Sequence, residues 1–200
     1  QGETGEQGAT GGQGGTGAQG ETGEQGATGG QGKYYIQANY ATSLYQGTAV
    51  KQSGGYIITA QAAITNTCIG VLNGVFYNAA TTQKPTWQNY YSQVTPANSE
   101  NITAFVIDNP HQLYVGCIDT AIPIANMGKT FGFSTTTGST ASGQSTNKML
   151  LAGGHATANT WRTVRIAEDP ENQDQTAANC SLVVKVNLHQ YTVGSLATGI

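Results

Sequence analysis

Oxygen ligands crowd at one place in this sequence, the stretch Glu168-Asp169-Pro170-Glu171-Asn172-Gln173-Asp174. The carboxylates of Glu168, Asp169, Glu171 and Asp174 could surround Ca²⁺, a hard cation that takes about six to eight oxygens from loops. The spacing does not match an EF-hand loop and Pro170 interrupts it, so a solvated turn is the stronger reading and calcium the weaker. A second cluster is aromatic. Trp87, Tyr90 and Tyr91 could stack on sugars or dock a partner, because rings bring large contact area at low entropy cost. Packing in a core or at a subunit interface is the preferred alternative. Cys68, Cys117 and Cys180 are odd in number and widely spaced, with no C-x-x-C or Cys/His metal pattern. Buried thiols serving as small hydrophobes are expected, with an interchain bridge the lesser option. His111, His155 and His189 share no common context. No nucleophile elbow and no paired carboxylates flanking a cleft are visible. The expectation is a protein that is not an enzyme, with no cofactor and no catalytic residue.

The elements that must carry these residues divide sharply. Glycine occupies every third position at Gly2, Gly5, Gly8, Gly11, Gly14, Gly17, Gly20, Gly23, Gly26, Gly29 and Gly32. That period marks a collagen triple helix, in which three extended chains wind together and only glycine fits the axis. A stalk over residues 1–32 is therefore expected, and with it a homotrimer. At a rise of ~3.1 Å per residue the rod would be roughly 100 Å long. The block that opens at Gly2 starts again at Gly20, which suggests growth by duplication, and further collagen or an attachment segment is expected before Gln1. The rod has no proline to pre-set its conformation, so ordering it costs more entropy. Glu3, Glu6, Glu21 and Glu24 have no basic partner within it, which gathers twelve carboxylates in a trimer. Such a rod is weak alone, and the remainder of the chain must hold it together.

That remainder, residues 33–200, contains all eight basic residues and seven of the eleven acidic ones, so it is close to neutral. No basic stripe suggests nucleic acid, and no apolar run approaches the ~20 residues that span a membrane. Short β-like runs recur between Gly, Asn, Ser and Pro: Lys33–Tyr40, Gly55–Ala60, Cys68–Tyr77, Asn101–Ile107, Gln112–Ile118, Thr130–Ser134, Trp161–Ala167 and Ser181–Leu188. Alternation is clearest where Leu182, Val184, Val186 and Leu188 share one face. Helical period is weak and confined to Ile122–Met127, and Thr135–Asn147 reads as an exposed loop or a flat hairpin. The fold expected is all-β, a trimeric β-sandwich or barrel head behind the N-terminal collagen triple-helix stalk. The length also allows two subdomains, about 33–110 and 111–200.

Several pieces of the head, in order, resemble a family of small β-rich virion proteins of tailed bacteriophages. They are Gln46-Gly47 with Gly54-Gly55-Tyr56-Ile57-Ile58, Ile69-Gly70-Val71, and Lys84-Pro85-Thr86-Trp87-Gln88-Asn89-Tyr90-Tyr91. Next come Ala104-Phe105-Val106-Ile107-Asp108-Asn109-Pro110, Leu113-Tyr114-Val115 and the loop from Thr137 to Ser145. Arg165-Ile166-Ala167-Glu168-Asp169-Pro170-Glu171-Asn172 and Val184-Lys185-Val186-Asn187-Leu188-His189-Gln190-Tyr191 complete the series. The resemblance implies a non-enzymatic capsid decoration or head-fibre protein on the virion surface, partnered by the phage major capsid protein. The collagen rod departs from the family's pattern. It leaves open a second reading, a fibre tip or adhesin whose head binds a host-surface glycan.

Overall fold

The computed structural model describes residues 30–60, 67–134, 137–151 and 159–192. The repeat up to Gly29, the two residues 135–136 of the Ser/Thr run, and His155 lie outside them. The described chain is all-β. Its strands are β1 (Gln31–Ile36), β2 (Ala49–Ser53), β3 (Tyr56–Thr59), β4 (Gly70–Asn78), β5 (Pro85–Gln88), β6 (Ile102–Ile107), β7 (Leu113–Cys117), β8 (Thr130–Phe133), β9 (Met149–Leu150), β10 (Trp161–Ile166) and β11 (Ser181–Val186). Helical structure among the described residues is limited to single 3-10 turns at Ala97–Ser99 and Ile124–Asn126, the second just after Pro123.

Two antiparallel sheets divide the chain by sequence. The first has the order β1-β6-β4-β2-β3, with β5 pairing the far half of β4, and the second runs β7-β11-β10-β8-β9. The chain crosses between them at Asp108–Gln112. Each sheet rolls toward closure. The edge strands β1 and β3 of the first approach one another. In the second, Ile118 bridges Met149 in parallel, and the Asp119 N–H donates to the Met149 carbonyl at 2.9 Å.

Period-two alternation shapes the first roll, whereas β8 and much of β11 in the second are buried on both faces. On β6, Ile102, Ala104 and Val106 are buried while Thr103, Phe105 and Ile107 face outward. They join Ile36, Val50, Ile57, Leu72 and Val75 in the first core. Each fully buried aliphatic side chain contributes about 1.5–3 kcal/mol. On β4 the spacing from Leu72 to Val75 would put them on opposite faces, but a bulge between Leu72 and Gly74 restores them to one side. The second core gathers Ile118, Phe131, Phe133, Trp161, Leu182, Val184 and Val186, and reaches across to Ala49, Ala60 and Cys68 of the first half.

Polar ties lock the halves together. Gln52 and Gln190 exchange backbone–side-chain hydrogen bonds at 2.9 and 2.8 Å. The Cys68 N–H donates to the Leu188 carbonyl at 3.0 Å, and the Gln190 N–H to the Cys68 carbonyl at 2.9 Å. Tyr114 donates its hydroxyl to the Ile107 carbonyl at 2.8 Å. At this seam Gly70 adopts φ +153°, and a Cβ there would strike the Ile107 carbonyl, so glycine is required.

The first strand starts two residues before the expected boundary at 33. Gln31 and Gly32 pair with Ile107 and Val106. Gly32, counted with the repeat, is therefore a strand residue, captured by the β6 ladder and by close packing on Asp108 that leaves no room for a Cβ. Gly30 has φ +66°, opposite in sign to the ~−75° of a collagen strand. Its carbonyl accepts the Asp108 N–H at 2.9 Å.

Candidate interaction surface

The outward face of β5-β4-β6-β1 is set by register. Trp87 lies opposite Phe76, Phe76 opposite Thr103, and Thr103 opposite Tyr35. One row along, Gly74 lies opposite Phe105, and Phe105 opposite Lys33. Directly opposed residues share a face, so these side chains form one continuous surface across four strands. Trp87, Phe76 and Tyr35 remain 51%, 40% and 56% exposed. The Trp87 ring leans on Phe105 with centroids 4.9 Å apart and a tilt of 59°. Lys33 Nζ stands 5.9 Å from the Phe105 centroid. Gly74 makes the seat for the indole, since a Cβ there would come within 2.6 Å of Trp87 Cζ2. Tilted ring pairs contribute about 0.5–1.5 kcal/mol beyond burial, and an exposed cation over a ring about 0.5–1 kcal/mol. This is a firm aromatic platform. It can adsorb a flat apolar surface or a ring, and it holds no acid–base pair.

The three aromatics singled out from sequence do not act together. Trp87 belongs to the platform. Tyr90 stacks on Tyr45 at 5.8 Å and 9° beside the 137–147 loop. Tyr91 is fully buried, stacks on Tyr40 and donates its hydroxyl to the Tyr40 carbonyl at 2.7 Å. Tyr91 is thus a core residue and not a partner-binding one; burial, then the neighbouring Tyr40, raise its pKa. The sequence reading missed Tyr35, Phe76 and Phe105. Their signal was present: they are apolar residues on the face of alternating strands that should be polar.

The four carboxylates of the acidic stretch do not converge. Among the described residues no group of three or more metal-ligating side chains comes together. Asp169 Oδ1 accepts the Glu171 N–H at 3.1 Å, and its Oδ2 accepts from Ser181 at 3.2 Å. Asp174 Oδ1 accepts both the hydroxyl and the N–H of Thr176 at 2.7 and 2.8 Å. These bonds to the charged form lower both pKa values. Glu168 faces Arg165 at 3.9 Å on the open surface. Asp169 and Asp174 fold turns with their own oxygens, the solvated-turn arrangement preferred from the sequence over calcium for Glu168, Asp169, Glu171 and Asp174.

Cys68 and Cys180 are buried, Cys117 is half-buried, and all three are free thiols. His189 is buried and joins the halves: its Nδ1 accepts the Tyr191 N–H at 3.2 Å, so Nε2 carries the proton given to the Asp108 carbonyl at 2.9 Å. His111 is exposed. A cavity of ≈ 120 Å³ opens between β7 and β9, lined by Val71, Tyr114, Cys117, Met149 and Trp161. Its lining is mostly apolar. No helix of the described chain is long and apolar enough to cross a membrane. No family model, no curated protein and no solved structure matches this chain.

Proposed function

We propose that this chain is a non-enzymatic virion structural protein, a trimeric capsid decoration or head-fibre protein whose collagen-like stalk projects from the particle. The observation that carries the reading is the unbroken glycine period from Gly2, which runs straight into the first strand of a compact β-head. A stalk continuous with a folded head is the build of a projecting fibre, and the period-three glycine implies three chains. The resemblance to phage virion proteins supports the setting. Its quoted pieces include the crossing at Asp108–Pro110 and the strap Val184–Tyr191, both of which tie the halves together. On this reading the head attaches to the major capsid protein, and the acidic stalk stays in solvent.

The aromatic platform favours a second reading, in which the head faces outward and binds a host-surface glycan, as rings that stack on sugars do. Immunogold electron microscopy separates the two. Antibody raised against the protein should label the heads of phage particles from the source. Label restricted to tail tips or to cell-surface filaments would replace the decoration protein with an adhesin.

A further inference from the structure

We infer that the aromatic face of the first sheet is the contact between heads in the trimer: Tyr35, Phe76, Trp87 and Phe105 of one copy pack against the adjoining copies. The inference rests on the collagen-stalked reading above and names the surface that reading needs. The glycine repeat enters the head through β1, which begins one residue after Gly30, so the repeat reaches the strand with no intervening sequence. Three strands of a triple helix wind on one axis, and the three copies of β1 must therefore start beside it. At ~3.3 Å per residue, Tyr35 lies roughly 13 Å beyond Gln31. The inner side of β1 is already occupied, because Ile36 is buried in the core and Tyr34 donates to the Asp108 carboxylate at 2.7 Å. Its free side carries Lys33 and Tyr35 and continues across β6, β4 and β5 as the platform.

Charge and composition agree. The stalk's carboxylates repel each other in a trimer, whereas residues 33–200 hold eight basic and seven acidic residues and approach one another without penalty. The platform has the make-up of an interface core, aromatic and depleted in charge, with Lys33 and Thr103 as the polar side chains among four rings. A proline-free rod needs a registering contact at its end, and this face lies at that end.

The test uses the full chain. Light scattering across a dilution series and circular dichroism melting of the triple helix are compared for the unaltered protein, Trp87→Ser and Phe76→Ser. Both positions are exposed at the surface, and a head melt confirms folding. Each substitution should weaken assembly by about tenfold or more, since the exposed half of each ring offers on the order of 100 Å² of contact, and should lower the melting temperature of the triple helix. Iodide quenching gives a second readout without substitution. Trp161 is buried within the head, so Trp87 reports, and it should be shielded in the trimer and quenched once the chains separate. Variants that stay trimeric with unchanged melting, or a Trp87 freely quenched in the intact trimer, overturn the inference and leave the stalk reading standing. A Trp87 that is open in the trimer and shielded by added host polysaccharide overturns it in favour of a glycan. A monomeric unaltered chain overturns both.

Discussion

Cys68 sits where the two rolls touch, and its surroundings govern its chemistry. Burial pushes its thiol up to about 12 from an ordinary 9.0. Burial also raises Tyr114, whose phenol feels Cys68 and then Asp108, and it raises Tyr34, which donates to the Asp108 carboxylate. Each of these groups is held in its neutral form by the fold. The unfolded chain releases the thiol proton near pH 9.0 while the folded chain retains it up to about 12. Stability is therefore complete below the lower value and is lost as pH rises through that window. Urea midpoints should fall steadily above about pH 9, and Cys68→Ala should reduce that slope without abolishing it, because Cys180 and the buried tyrosines are raised as well. A midpoint independent of alkaline pH, or an unchanged slope in the variant, would show that the Cys68 thiol contributes nothing to it.

At the scale of elements, the strap after β11 matters more than its irregular backbone suggests. Cys68 and His189 form a parallel bridge between the halves, and the ring of His189 fills the seam. His189→Ala removes a buried ring and leaves the Asp108 carbonyl without its donor. A loss of about 2–4 kcal/mol is expected in chemical denaturation; a change below about 0.5 kcal/mol, typical of surface positions, would contradict this role. Most strands were legible from sequence because their inward residues alternate, as in Ile102–Val106 and Leu182–Val186. The three that were missed lacked that signal. β2 ends in Lys51, Gln52 and Ser53, β5 is a four-residue edge strand that begins with Pro85, and β9 is two residues long. Their partners, not their own pattern, make them strands. The same limit applied to the site. Trp87 could be picked out as a ring, but only register joins it to Phe76, Phe105 and Tyr35, and only burial separates it from Tyr91.

For the whole molecule, the proposed trimer sets a repelling rod against attracting heads. Glu3, Glu6, Glu21 and Glu24 contribute twelve like charges along the rod with no basic partner in it. Screening shortens their reach to about 10 Å at 0.1 M salt. The triple-helix melting temperature should therefore rise with sodium chloride, and rise again as acid protonates the carboxylates. A melting temperature that falls with salt would mean that attractive ion pairs hold the stalk.

The seam also fixes an order in time. The glycine repeat leaves the ribosome before the head that follows it, yet β1 cannot be fixed until β6 has been made. The bridge from Cys68 to His189 waits for the strap that follows β11. Pairings this distant in sequence close slowly, because loop entropy must be overcome before any contact rewards it. In the proposed trimer, then, the rod that emerges first is assembled last. Three completed heads meet, and the helix zips backward from them toward the beginning of the chain.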